Sequence, residues 1–170
     1  MKKVLALAIL ATVFTASIHA QKFAFVDSDY ILRNIPSYMA AQEELDNLSE
    51  NWESVIKKEY EVIEEMYKSY KAERVLLSEE MRLEREENII EKENEVKTLQ
   101  QQYFGPEGDL FKKREELVKP IQDAVYKAVR ELTAEGGYAI IFDTSSGASI
   151  LYSNPRYDMS DDILKKMGYK

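Results

Sequence analysis

The chain has 170 residues, no cysteine and one histidine, and its 31 acidic against 23 basic side chains leave a formal charge of −8. Disulfides, thiolate metal sites and a lipid-bearing cysteine are excluded outright. The acidic balance also makes nucleic acid and anionic membrane surfaces poor partners. A chain of this length suits one domain, or a small domain with an extension.

The first twenty residues read as a secretory signal peptide. Met1-Lys2-Lys3 supplies the charged start, Val4 to Phe14 the apolar run, and Ser17-Ile18-His19-Ala20 the small-residue approach to a cut after Ala20. The run is too short for a stable transmembrane span. Removing Lys2 and Lys3 takes the 23 basic residues to 21, so the exported chain carries 21 against 31, or −10. A bacterial periplasm is the expected destination, with the protein soluble there.

Lys22-Phe23-Ala24-Phe25-Val26-Asp27 alternates large and smaller apolar residues, which predicts a strand. A short helix over 29–34 follows, capped by Asp27 or Ser28 and ended by Pro36. From there to Gly136-Gly137 lie roughly a hundred residues dominated by Glu, Lys, Gln, Arg and aliphatics, a composition that reads as long helix. As one helix this stretch would reach about 150 Å, far beyond a globular core, so an arm is implied.

Ser37 is the candidate cap of that arm. Tyr38, Ala41, Leu45, Leu48, Trp52 and Val55 form a seam at alternating spacings of three and four, which then slides by one residue through Ile56, Tyr60, Ile63, Tyr67 and Tyr70. Two places could fold the arm back. Gly105-Pro106-Glu107-Gly108 is the stronger local breaker, but a turn there leaves arms of about 67 and 26 residues and strands most of the first seam. A turn near Leu77, with Ser78 capping the return helix, gives balanced arms. The expected arm therefore covers 37–134, with its tip near 75–79 and a break at 105–108 on the return. In that register Trp52 falls opposite Tyr103, and the only tryptophan covers the break.

Apolar positions on the return are sparse near the tip (Leu83, Ile89, Ile90, Val96, Leu99) and dense near the base, from Leu110 and Phe111 to Leu132. A rigid base and a loosely held tip follow. Pro120 predicts a kink or local break. Gly136 is expected as a left-handed helix stop, Tyr138 to Asp143 as a second strand and Ser149 to Tyr152 as a third. Ser160 caps a terminal helix with Asp161 and Asp162 in its first turn. The fold class is thus α+β: a long antiparallel helical hairpin on a small β body made from 21–36 and 135–170. Three short strands do not make a sheet with covered edges, so oligomerisation is expected to complete the body.

The segment Val26-Asp27-Ser28-Asp29-Tyr30-Ile31-Leu32, the strand Ile140-Ile141-Phe142-Asp143 and the tail Ser160-Asp161-Asp162-Ile163-Leu164, set around a charged hairpin, resemble the Skp/OmpH family of periplasmic chaperones for outer-membrane proteins. The resemblance covers essentially the whole exported chain. It implies a homotrimer whose β body draws strands from all three chains, with tentacle-like arms around a cavity that holds unfolded outer-membrane proteins without nucleotide hydrolysis. Two features depart from the family. Its well-known members are basic, whereas Arg82 and Arg85 here sit among Glu79, Glu80, Glu84, Glu86 and Glu87, so no lipopolysaccharide site is carried over. The interruption at 105–108 is the other departure.

Within this reading, the candidate client-binding residues are Met66, Tyr67, Tyr70, Met81 and Leu83, since Met re-packs easily and Tyr offers both ring and hydroxyl. The plainer reading of Tyr60 and Ile63 at the same helical spacing is hairpin core. Phe23, Phe25, Ile140, Phe142, Ile150 and Tyr152 are the candidate residues of the oligomer body. The sequence argues against an enzyme: its one histidine, His19, leaves with the leader, and no phosphate-loop or dinucleotide glycine pattern is present. No cofactor or metal is expected, because the Asp27/Asp29 and Asp158/Asp161/Asp162 groups are better explained as helix caps. The alternative function is a structural coiled-coil spacer or scaffold of the cell envelope.

Overall fold

A computed structural model describes residues 21–147 and 150–169. The signal-peptide reading falls on residues 1–20, outside the described residues. Strand β1 (Lys22–Val26) leads into helix α1 (Ser28–Arg33), and the long helices α2 (Pro36–Glu73), α3 (Glu79–Phe104) and α4 (Asp109–Gly136) follow. Strand β2 (Tyr138–Asp143), a 3₁₀ turn at Pro155–Tyr157 and helix α5 (Ser160–Lys166) close the chain.

The local chemistry explains the boundaries. Asp27 is extended and its carboxylate accepts from the Tyr30 amide, capping α1. Pro36, expected to end a helix, instead begins one: it is the first residue of α2, with Ile35 rather than Ser37 in the cap position. Proline's fixed φ is pre-organised there, and the N–H it lacks would have had no partner. Helix α2 runs for 38 residues, about 57 Å. The chain reverses through 74–78, where Ser78 caps α3 by accepting from the Met81 amide.

Helix α3 stops at Phe104, Gly105 to Gly108 form a turn, and α4 restarts at Asp109. A Cβ on Gly105 would come within 2.3 Å of the Gln101 carbonyl, and one on Gly108 within 2.8 Å of the Gln102 carbonyl. Only glycine fits either place without a shift. Pro120 causes no break, since α4 is continuous from Asp109 to Gly136. It cannot donate to the Glu116 carbonyl, but it lies on the exposed side of the helix, where water can serve that oxygen. The left-handed residue that stops α4 is Gly137, φ 63°, one position later than the sequence suggests.

Among the described residues the sheet has two strands, β1 and β2, paired in parallel with Phe23 beside Ile140, Phe25 beside Phe142 and Val26 beside Asp143. The arm is therefore the crossover that parallel strands require. Ser149, the first residue of the expected third strand, lies outside the described residues; its described part, Ile150 to Tyr152, carries no strand pairing, and Leu151 is 99% exposed. Instead, the Met159 amide donates to the Phe25 carbonyl and brings α5 against the body.

Among the described residues, buried side chains form three clusters along the arm and body. The largest joins Val26, Ile31, Leu32, Ile35, Val125, Ala128, Ile163 and Leu164 at the body. A second, with Ala41, Leu45 and Val118, lies at the base of the arm. The third, Ile56, Ile63 and Val96 flanked by Leu99, Tyr103 and Phe104, lies past the break. In the seam, Ile56 is buried and Val55 is exposed, so the slide occurs one residue earlier than the pattern indicates. Tyr60 is likewise exposed rather than in the hairpin core.

Candidate functional site

The outer part of the arm carries little core. Helix α3 buries only Ile89 and Val96 over 26 residues, and the outgoing helix beside it buries Ile56 and Ile63. Polar pairs cross between the two helices alongside this thin core. Lys92 Nζ lies 2.8 Å from Glu59, Arg85 lies 3.5 Å from Glu73, and the Tyr67 hydroxyl donates to Glu93 at 3.0 Å. The Tyr70 hydroxyl donates to Glu86 in the same manner. Hydrogen bonding to Glu93 and Glu86 raises the pKa of each phenol, because the carboxylate favours the protonated tyrosine. Hydrogen bonds to Glu59 and Glu95 raise that of Lys92.

These contacts fix the candidate client-binding residues in different ways. Tyr67 is exposed along its ring with its hydroxyl tied across the hairpin, while Met66 and Tyr70 are half-buried. Met81 and Leu83, at the start of the return helix, are exposed. The five residues thus cluster in the last turns before and the first turns after the reversal, on both helices of the arm. At the reversal itself Val75 and Leu76 are 86% and 87% exposed, a feature the residue pattern gave only as a turn. Three consecutive aliphatics, Val75-Leu76-Leu77, were its signal.

The break is covered by an aromatic group. Trp52 of α2 stacks on Tyr103 with ring centroids 4.9 Å apart and planes 6° from parallel, and Phe104 meets both rings edge-on. Gln102 donates to Asp109 across the interruption. Beside it an open groove is lined by Ile56, Tyr60 and Phe104.

At the body, Phe23, Phe25 and Phe142 form a ring ladder, Phe25 and Phe142 with centroids 5.8 Å apart. Phe23, Ile140 and Phe142 are exposed. Ile150 is half-buried and Tyr152 exposed, beyond the end of the sheet. Asp143 anchors the loop between them: partial burial alone would push its carboxyl pKa up, but hydrogen bonds from the Ser28 hydroxyl and amide and the Ser145 amide and hydroxyl hold it below the usual value. On the other side of the sheet a groove lined by Val26, Leu32, Val125, Tyr126, Val129 and Ile141 is open.

Among the described residues no group of three or more His, Cys, Asp or Glu side chains is arranged to hold a metal ion, and no helix is long and apolar enough to cross a membrane. The Asp27 carboxylate accepts from the Tyr30 amide and Asp158 from the Ser160 amide and hydroxyl, while the Ser160 hydroxyl oxygen accepts from the Asp27 amide.

A family profile described as outer membrane protein (OmpH-like) matches residues 22–167, from the first strand through the terminal helix. The chain belongs to the OmpH-like family. A solved structure agrees with this fold: a protein from Caulobacter crescentus CB15, provisionally described as an outer membrane chaperone (OmpH-like), superposes with a TM-score of 0.66 at 10% identity, covering 89% of this chain and 86% of that one. No curated protein sequence matches the chain. For an OmpH-like chain the arm and the small sheet are therefore the shared architecture, and the arm surface and the sheet face are its candidate sites.

Proposed function

We propose that the protein is an ATP-independent periplasmic holdase, which binds unfolded outer-membrane proteins between helical arms and prevents their aggregation. The observation that carries this reading is the outer arm: a two-helix projection with exposed Tyr67, Met81 and Leu83 and very little core of its own. Unfolded barrel proteins expose alternating apolar residues. Several weak, adaptable contacts on arms that flex can hold them by avidity, without a fixed pocket. Membership of the OmpH-like family and the chaperone description of the Caulobacter protein support the same reading.

The cavity requires more than one arm, and the body favours assembly, as a homotrimer on the family resemblance. A two-stranded sheet with an exposed phenylalanine ladder is marginal alone, and Phe23, Phe25, Ile140, Phe142, Ile150 and Tyr152 are the residues whose burial in a neighbouring copy would complete it. The spacer reading fits less well, because a rigid rod needs a continuous seam and α3 buries two side chains in 26 residues.

The test is to dilute a urea-unfolded outer-membrane barrel protein into buffer with the chain from Gln21 onward at stoichiometric amounts, following light scattering. Suppressed scattering is expected. Scattering equal to that without the protein overturns the proposal.

A further inference from the structure

We infer that one flank of α3 binds cationic, partly apolar segments of unfolded protein; as a preference among clients this rests on the holdase reading above. Helix α3 carries eight glutamates against four basic residues. Four of the glutamates, Glu80, Glu84, Glu87 and Glu91, follow one another at spacings of four, three and four, which sets them on one face of the helix. Leu83 and Ile90 stand on the same face, 59% and 55% exposed. The two residues that α3 buries, Ile89 and Val96, lie about 100° round the helix from it.

The negative charge of this face has no balance within the arm. Arg82 pairs with Glu79, Arg85 with Glu73, and Lys92 with Glu59 and Glu95, while the remaining cation of α3, Lys97, lies beyond the four glutamates. Among the described residues none of Glu80, Glu84, Glu87 and Glu91 has a hydrogen bond or an ion pair. Glu80 sits in the first turn, where the helix dipole favours an acid, but the other three are too far along to gain from it. Like charges at these spacings destabilise a helix, and a face serving only solubility intersperses both signs.

Charge complementarity therefore selects the partner. Lysine or arginine next to apolar residues answers both features at once: the cation reaches a carboxylate while its stem and its neighbours cover Leu83 and Ile90. From Glu80 to Glu91 the row rises about 16 Å, a span that about five residues of extended chain cover. Anionic lipid and nucleic acid are repelled by the same charge. Each exposed pair is weak, so a segment comes and goes readily, and firm holding needs several arms.

The experiment follows, by fluorescence anisotropy, the binding of two labelled synthetic peptides to the chain from Gln21: one alternates leucine with lysine, the other leucine with glutamate. The lysine peptide is expected to bind about tenfold tighter, and Glu80→Gln/Glu84→Gln/Glu87→Gln/Glu91→Gln to remove that difference. Glu43→Gln/Asp46→Asn/Glu50→Gln/Glu115→Gln, an equal change of charge at the base of the arm, is expected to keep it. Leu83→Ser/Ile90→Ser is expected to weaken the lysine peptide as well. Circular dichroism checks that the helices persist, which relief of like-charge neighbours favours. Equal binding of the two peptides by the native chain, or an equal loss in both charge variants, overturns the inference. A smaller native mass of the α3 variant with no peptide preference in the native chain assigns the face to a second copy and overturns it too. The scattering assay on the same samples separates the two proposals. Suppressed scattering without a peptide preference leaves the holdase and removes this site, whereas unsuppressed scattering with the preference intact removes the holdase and leaves a site for cationic segments.

Discussion

The base and the outer part of the arm use the same two-helix geometry with opposite balances of forces. At the base, Ala41, Leu45 and Val118 join the body core through Tyr38 and Ile121, so each side chain is covered from several directions. Past the break only Ile56, Ile63, Ile89 and Val96 are buried, flanked by Leu99, Tyr103 and Phe104, and four charged or phenolic pairs cross between the helices. Exposed pairs of this kind contribute little, typically under about 1 kcal/mol each. The difference shows how one supersecondary element can be firm where it must join a body and yielding where it must adapt.

The largest expected effect tests the firm end. Leu45→Ala should destabilise the protein by about 2–5 kcal/mol, read as a lower midpoint in urea unfolding of the whole chain. Ile89→Ala removes a similarly buried side chain from the outer arm but should speed hydrogen exchange only between the break and the apex. If both variants shift the global midpoint equally, the contrast between the two regions is wrong. Trp52→Ala sits between them. Loss of the stack on Tyr103 should cost about 2 kcal/mol and make amides on both sides of 105–108 exchange faster, whereas unchanged exchange there would mean the glycine turn holds itself.

The smallest effect concerns Asp143. Its carboxyl is held below the ordinary value of 3.8 in the folded protein, so its contribution is fully present above that value and is lost as pH falls through the folded pKa. Stability measured from pH 6 downward should therefore drop more steeply in the native chain than in Asp143→Asn, with the two curves converging below the folded pKa. Parallel curves would show that the Ser28 and Ser145 hydrogen bonds add nothing pH-dependent.

Much of this contrast was legible in the residues. The sparse apolar positions of 83–99 forecast the thin outer core, and the antiparallel register that sets Trp52 against Tyr103 followed from balancing the arm lengths. Other features depend on context that spacing does not carry. Pro36 reads equally as a stop or as a first helical residue, and only the extended Ile35 before it decides. Pro120 reads as a break, but an exposed carbonyl has water to replace the missing donor. Ile150 to Tyr152 have strand-like residues yet no strand partner among the described residues, since pairing is a property of two segments and not of one. Ala128, buried with Val125 and Ile163, escaped notice because a small residue gives almost no hydrophobic signal.

Lys22 and Gly136 lie 114 positions apart in the chain, yet the Lys22 ammonium donates to the Gly136 carbonyl where β1 meets β2. Closing an unstructured loop of that size would add about 2–3 kcal/mol over closing one of a few residues. The hairpin removes most of that cost, because its helices form from neighbouring residues and carry the two strand segments to the same end. Assembly of the body should then follow the arm in time, with β1 waiting on the last residues of the chain, and a pause in folding should leave a structured arm beside an open sheet edge.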